Sequence, residues 1–151
     1  MTLAQETEMS ADEIDAFLSE NETGVLSLAR AEEPYAIPIS YGYDSDARTF
    51  YLRLVSQPDS KKRQFLSTSP DAHLVIYDET ADGTTYWSVI ASGVLEEVSP
   101  DDLSVQQIEQ YGKTQRPLFE IWGAQKDELE IQLYELVPGE LSGRRTDVDR
   151  E

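Results

Sequence analysis

The sequence contains no cysteine and only one histidine, His73, among its 151 residues. The missing thiols exclude disulfide bonds, thiolate metal sites and cysteine nucleophiles. A single histidine leaves no His-rich metal cluster and argues against a Ser-His triad. We therefore expect no metal site, and the sequence assigns no catalytic residue.

Positive charge is also scarce, because 12 Lys and Arg stand against 30 Asp and Glu and give a net charge of −18. Nucleic-acid binding and polybasic membrane anchoring both rely on cationic side chains, so we expect neither partner. A hydrophobic content of 39% is too high for a disordered chain. Carboxylates scattered over a folded surface are typical of salt-accumulating microbes such as haloarchaea, which predicts a halophilic protein.

Long apolar runs are absent, and the first ten residues are polar and acidic rather than signal-like. We therefore expect a soluble, cytoplasmic protein. The length suits one domain, which we assign to residues 1–151. Residues 1–9 and 144–151 are expected to be flexible ends.

The hydrophobic pattern predicts mainly strands. Ser10 and Glu13 form a capping box before a short helix that ends near residues 21–24. Strands are predicted at residues 25–29, 35–43, 49–55, 72–78, 85–98 and 129–137, with a turn at residues 31–34. Two further helices are predicted, one at residues 60–68 that is ended by Pro70 and one at residues 99–112. A loop at Arg116-Pro117 then leads to a segment at residues 118–122. This order lacks regular strand–helix alternation and predicts an antiparallel, six-stranded barrel with flanking helices.

Two residues inside predicted strands carry positional information. Pro38 cannot donate a hydrogen bond to a strand ladder, so it should lie at an edge, at a bulge or where the backbone faces a ligand. Gly93 interrupts an unusually long strand and predicts a bend or bulge.

Four of the twelve cationic residues fall within eleven positions, as Arg53, Lys61, Lys62 and Arg63. Three of them occupy the first turn of a predicted helix, where the macrodipole disfavours cations. A bound phosphate would resolve this conflict, because the backbone N–H groups, the Ser60 hydroxyl and the cations could converge on it. The alternative is that these cations form surface ion pairs with abundant carboxylates, and composition does not decide between the two.

Trp87 and Ser88 open the long strand and could simply belong to the core. Together with a phosphate site and a strand that contains proline, they also suit a flat, aromatic, phosphorylated ligand. Flavin mononucleotide (FMN) has these properties.

Four segments in this order, PYAIPISYGYD, FYLR, SKK and WSVIASGVLEEV, resemble the pyridoxamine 5′-phosphate oxidase-like FMN-binding split barrels. The resemblance covers about residues 10–143 and implies a split β-barrel. It implies that Ile37, Pro38, Ile39 and Ser40 run along the flavin ring, that Tyr51, Leu52 and Arg53 continue the pocket, and that Ser60, Lys61 and Lys62 hold the phosphate.

The resemblance also implies a homodimer with flavin at the interface, in which Trp87 and Ser88 approach the ring from the neighbouring subunit. Two departures argue against vitamin B6 oxidation. Ala36 stands where the true oxidases have an arginine, and Leu141–Arg145 do not reproduce their substrate-binding segment.

The expected function is therefore FMN-dependent oxidation or reduction of an unknown small substrate, with a nicotinamide or another electron donor. The alternatives are a reductase that uses the deazaflavin F420, binding of FAD, a non-catalytic flavin carrier, and a structural domain that has lost its ligand.

Overall fold

The computed structural model describes residues 3–56, 60–68, 71–112, 114 and 130–149. Most of these residues belong to seven strands, which alternate irregularly with three short α-helices. In chain order the elements are β1 (Leu3–Glu8), α1 (Ala11–Glu20), β2 (Thr23–Arg30), β3 (Glu33–Asp44), β4 (Thr49–Ser56), α2 (Lys61–Thr68), β5 (Asp71–Glu79), β6 (Thr85–Val98), a 3₁₀ turn (Pro100–Asp102), α3 (Val105–Gly112) and β7 (Glu130–Asp149).

Six of the strands close into a barrel. The sheet order is β1-β7-β4-β3-β2-β5-β6, and β7 also pairs with β6. All pairings are antiparallel. The ring therefore runs through β7, β4, β3, β2, β5 and β6, which confirms the predicted six-stranded antiparallel split barrel with helices outside it. The seventh strand, β1, joins the edge of β7.

Alternate residues of the strands point into the barrel and form its core. On β5, for example, Ala72, Leu74 and Ile76 are buried, while His73 and Tyr77 between and beside them are exposed. Leu26 of β2 and Leu74 of β5, which are paired on neighbouring strands of the ring, are completely inaccessible. This period of two separates an apolar interior from an outer surface, as the sequence pattern indicates.

Helix α1 closes one end of the barrel. The predicted capping box is present, because Ser10 Oγ accepts from the Glu13 N–H and Glu13 Oε1 accepts from the Ser10 N–H, both at 3.2 Å. The buried face of the helix carries Ile14, Phe17 and Leu18. Tyr41 of β3 donates its hydroxyl to the Leu18 carbonyl at 2.8 Å, so the helix is tied to the sheet.

The prediction of loose chain ends is wrong for residues 3–8 and 144–149. Strand β1 pairs with the end of β7, from Leu3 opposite Asp149 to Glu8 opposite Arg144. The polar sequence of β1 has no hydrophobic alternation, so nothing local identifies it. It forms because β7 extends beyond the barrel and presents an edge whose backbone groups need partners.

The last strand is longer than predicted and contains a bulge. Strand β7 runs through Pro138 and Gly139 to Asp149 instead of ending at Val137. Gly93 of β6 lies at a register shift against it, which confirms the predicted bulge. A Cβ atom on Gly93 would lie 2.5 Å from the Val137 carbonyl oxygen, so the two backbones approach too closely for a side chain.

The predicted helix over residues 99–112 is divided in two. Ser99 caps only the 3₁₀ turn, and Leu103 then returns to extended backbone. Ser104 and Gln107 begin α3 with a second capping box, in which each side chain binds the other residue's N–H. The predicted turn at residues 31–34 is also shorter, because only Ala31 and Glu32 have positive φ. The predictions for Pro70, Arg116-Pro117 and residues 118–122 lie outside the described residues.

No helix in the described part of the chain is long and apolar enough to cross a membrane.

Candidate functional site

The barrel is split between β3 and β4. Among the described residues, β4 pairs with β3 only from Tyr41 to Asp44, whereas Glu33–Ser40 pair with β2 alone. The segment Ile37–Ser40 therefore lies on the half of β3 that is paired on one side. Pro38 lies on this half and is exposed, so of its three predicted locations (an edge, a bulge or backbone that faces a ligand) the pairing shows an edge.

Helix α2 lies beside this single-sided half of β3. Ser60 caps it, because Ser60 Oγ accepts from the Arg63 N–H at 3.2 Å and the Ser60 carbonyl accepts from the Gln64 N–H at 3.1 Å. Phe65 lies on the buried side of α2, and its ring stacks on the Tyr35 ring of β3 with the centroids 4.9 Å apart. This aromatic contact fixes the first turn of α2 near the start of β3.

Lys61 projects from that first turn into solvent. Its Nζ lies 2.8 Å from Glu33 Oε1, and both side chains are more than half exposed. The hydrogen bond to Glu33 raises the pKa of the Lys61 ammonium, which stays charged at neutral pH. This pair is the surface ion pair that the alternative interpretation of the basic segment expects. Exposed pairs of this kind are weak and leave the ammonium open to another anion.

The other three basic residues of this segment differ in their surroundings. Arg63 is half-buried, and its charge acts on the Tyr134 hydroxyl of β7, whose pKa burial raises to about 12. Arg53 is half-buried on β4, opposite Leu133. Nothing is described for the side chain of Lys62. Of the phosphate site predicted at Ser60, Lys61 and Lys62, the structure therefore describes the capped start of α2 and the Lys61 ammonium group.

Several residues that were predicted to contact the ligand have side chains that are buried in the core. Ile39 and Tyr51 are 4% and 5% exposed, and Leu52 is inaccessible, so only their backbones could meet a ligand. The Ser40 hydroxyl donates to the Thr114 carbonyl at 3.3 Å and is already used. The Ile37 side chain, by contrast, is half-buried and therefore partly accessible to a ligand.

Trp87 and Ser88 do not meet α2 within one chain. Pro38, Val25, Val75 and Ile90 lie in one row across β3, β2, β5 and β6. Glu33, which contacts Lys61, lies five positions to one side of this row, and Trp87 lies three positions to the other side. At about 3.3 Å per residue the two ends are roughly 25 Å apart. Trp87 instead packs near Phe17 and beneath Arg145.

Sequence reasoning missed two buried polar residues of β7, Gln132 and Tyr134, the second of which is influenced by the charge of Arg63 on α2. Tyr134 donates its hydroxyl to Gln132 Oε1 at 2.9 Å, and Gln132 Nε2 donates to Glu97 of β6 at 2.9 Å. Alternating polar and apolar residues in IQLYEL are the only sequence signal, and they indicate a strand rather than a site. Gln132 reaches Glu97 because the barrel closes between β6 and β7.

Solved structures share this fold over nearly the whole chain. A FAD-binding protein from Mesorhizobium loti is 23% identical, with a TM-score of 0.69 and coverage of 97% of this chain and 99% of its own. The FAD-binding protein from Mycobacterium smegmatis is 17% identical, with a TM-score of 0.65 and coverage of 93% and 98%. A FAD- and heme-binding protein from the same organism is 16% identical, with a TM-score of 0.61 and coverage of 91% and 71%. These likenesses show the fold.

No curated protein matches the chain. A family model described as pyridoxamine 5′-phosphate oxidase matches residues 10–145, which include the barrel strands, α2 and the split. The match agrees with the range over which the four segments resemble that family. The chain therefore belongs to the pyridoxamine 5′-phosphate oxidase family.

Proposed function

We propose that the protein is a cytoplasmic homodimer that binds FMN and acts as a flavin-dependent oxidoreductase on a small substrate. The observation that carries this proposal is the position of α2. A helix capped by Ser60 and rich in cations begins beside the half of β3 that is paired on one side only. An anion and a planar ring could be held together at such a place.

The residues present fit the two ends of FMN. The first turn of α2 offers backbone N–H groups and the Lys61 ammonium to a phosphate, and the phosphate would replace Glu33 as the partner of Lys61. Residues 37–40 offer backbone groups along an open strand edge, where no described strand competes for them. Family membership supports the same assignment.

When bound, the flavin supplies the hydride or electron transfer, so the chain needs no acid–base pair of its own. The role of α2 is to bind the phosphate, and the role of β3 is to orient the ring. FAD is the second candidate, because structures of the same fold are described as FAD-binding proteins. F420 remains a third.

We propose a substrate other than pyridoxamine 5′-phosphate. Ala36 is exposed on β3 and provides no charge where the oxidases of this family have arginine. The segment Leu141–Arg145 lies within β7, paired with β6 and partly with β1. Arg144 is there in an ion pair with Glu6 at 3.5 Å.

Removing the two lysines tests the phosphate site. We expect Lys61→Ala/Lys62→Ala to weaken FMN binding at least tenfold, measured by quenching of flavin fluorescence in high salt. Arg48→Ala is the matched control for loss of positive charge, because Arg48 pairs with Asp15 at the far turn of β3 and β4. Equal affinity of the double variant and the wild-type protein would refute the assignment.

Reduction distinguishes an enzyme from a carrier. We expect NADH or NADPH to bleach the bound flavin and an acceptor to restore its colour over repeated cycles. A flavin that binds tightly but is reduced no faster than free FMN would identify a carrier.

A further inference from the structure

Glu33 contacts the same ammonium group that the proposed phosphate would use. The first turn of α2, residues 61–63, contains no acidic residue, although the helix macrodipole favours an anion there. The anion comes from outside the helix, because Glu33 Oε1 lies 2.8 Å from Lys61 Nζ. A carboxylate of the chain itself therefore engages one of the cations assigned to the ligand.

The hairpin between β2 and β3 holds Glu33 at this place. Glu33 begins β3 and pairs with Arg30 of β2 across a turn of two residues. Both residues of the turn, Ala31 and Glu32, have positive φ, of 47° and 70°, as in the tight turns that connect antiparallel strands. The backbone of Glu33 is therefore fixed, and its carboxylate stays within reach of α2.

An aromatic contact keeps α2 aligned with the start of β3. Tyr35 follows Glu33 by two residues and so lies on the same face of the strand. Phe65 follows Lys61 by four residues and so lies on the same face of the helix. The buried Phe65 ring stacks on the Tyr35 ring, and Lys61 Nζ lies 5.9 Å from the centre of the Phe65 ring. The ion pair is therefore the outer of two successive contacts between this strand and this helix.

Both members of the ion pair can change partner. The Lys61 and Glu33 side chains are 59% and 57% exposed, so water screens their attraction and burial holds neither of them in place. A phosphate that binds Lys61 must displace Glu33, which competes at a high effective concentration because it belongs to the same molecule. The displaced carboxylate would then turn into solvent.

A flavin without a phosphate does not meet this competition. Riboflavin has the ring system of FMN but no phosphate, so it gains nothing from Lys61 and loses nothing to Glu33. The competition therefore lowers the affinity for FMN and leaves the affinity for riboflavin unchanged.

We propose that Glu33 is a specificity-determining residue, which competes with the phosphate for Lys61 and sets how strongly the site prefers phosphorylated to phosphate-free flavin. This role rests on the proposed function, because it takes the phosphate to bind at α2. Glu33 itself holds no part of the ligand and acts through the Lys61 ammonium group.

Neutralising Glu33 tests the competition. We expect Glu33→Gln to bind FMN about three- to tenfold more tightly than the wild-type protein, because a neutral amide binds an ammonium group less strongly than a carboxylate does. We expect the affinity for riboflavin to change by less than about twofold, since no charged group of riboflavin is involved. Quenching of flavin fluorescence in high salt measures both affinities, and circular dichroism verifies folding.

Glu32→Gln is the matched control, because Glu32 is exposed in the adjoining turn and its substitution removes the same charge. Equal FMN affinities of Glu33→Gln and Glu32→Gln would overturn the proposal, since a general loss of negative charge would then account for any gain. An equal gain in affinity for riboflavin would overturn it as well.

A double-mutant cycle tests whether Glu33 acts through Lys61. We expect Glu33→Gln to improve FMN binding by less than about twofold in a Lys61→Ala background, because the ammonium group for which Glu33 competes is then absent. A gain as large as in the wild-type background would show that Glu33 repels the ligand directly, and would contradict competition for Lys61.

Inorganic phosphate separates this inference from the proposed function. We expect Glu33→Gln to bind inorganic phosphate more tightly than Glu32→Gln, measured by isothermal titration calorimetry at constant ionic strength. If it does so while no variant binds flavin, the competition stands and the flavin assignment fails. If flavin binds equally well to the wild-type protein and to Glu33→Gln, the flavin assignment stands and the role of Glu33 fails. Equal phosphate binding by the two variants, without flavin binding, would overturn both.

Discussion

Individual residues at the split combine local and distant contacts. Ser60 was identifiable as a cap because the bond to the Arg63 N–H spans only three residues. The Lys61–Glu33 pair and the Tyr35–Phe65 stack were not, because they join residues about thirty positions apart. Cap residues can therefore be read from the sequence, whereas the surroundings of the basic segment depend on how the barrel folds.

Gly93 provides a test of close backbone approach at the residue scale. We expect Gly93→Ala to lower the free energy of unfolding by about 1–3 kcal/mol, because the new Cβ would lie 2.5 Å from the Val137 carbonyl. Urea denaturation measures the change. Gly112→Ala is the control, since a Cβ there meets nothing within 4 Å. An equal stability of the two variants would contradict the tight packing of β6 on β7.

At the scale of elements, strands with alternating burial and helices with capping boxes were predictable. Strand β1 and the second half of β7 were not predictable, because β1 has no hydrophobic face and Pro138-Gly139 normally end a strand. Their pairing arises from contacts between the two ends of the chain. The division of the predicted 99–112 helix follows from competition between two caps, Ser99 and Ser104, that pattern reasoning treated as one start.

The capping box of α1 gives a prediction at this scale. We expect Ser10→Ala to destabilise the protein by about 1 kcal/mol, because the Glu13 N–H loses its acceptor. Thermal denaturation followed by circular dichroism measures the loss. Ser19→Ala serves as the control, since Ser19 lies exposed in the last turn of the same helix. A Ser19→Ala variant that loses as much stability as Ser10→Ala would rule out the cap as the cause.

At the scale of the whole molecule, the net charge of −18 predicts a stability that depends on salt. We expect the melting temperature to rise between dilute buffer and 1 M KCl, where the Debye length falls to about 3 Å and repulsion between carboxylates is screened. Sucrose is the control, because it stabilises proteins without screening charge. A melting temperature that is unchanged in KCl would contradict the expectation of a halophilic protein.

The family and the split barrel could be recognised from four segments of sequence, because their order and spacing reflect the strand that flanks the split and the helix beside it. Which of the predicted site residues lie close together could not be recognised from the sequence. Within one chain Trp87 and Ser88 lie at the opposite end of the barrel from α2, and their approach to the ligand stays a prediction.

The most direct test of flavin binding is the visible absorption spectrum of the protein purified in high salt. We predict a yellow protein with a flavin spectrum that releases about one FMN per chain on denaturation, identified by chromatography against FMN, FAD and F420. A colourless protein that also fails to bind added FMN, FAD or F420 would contradict the proposed function.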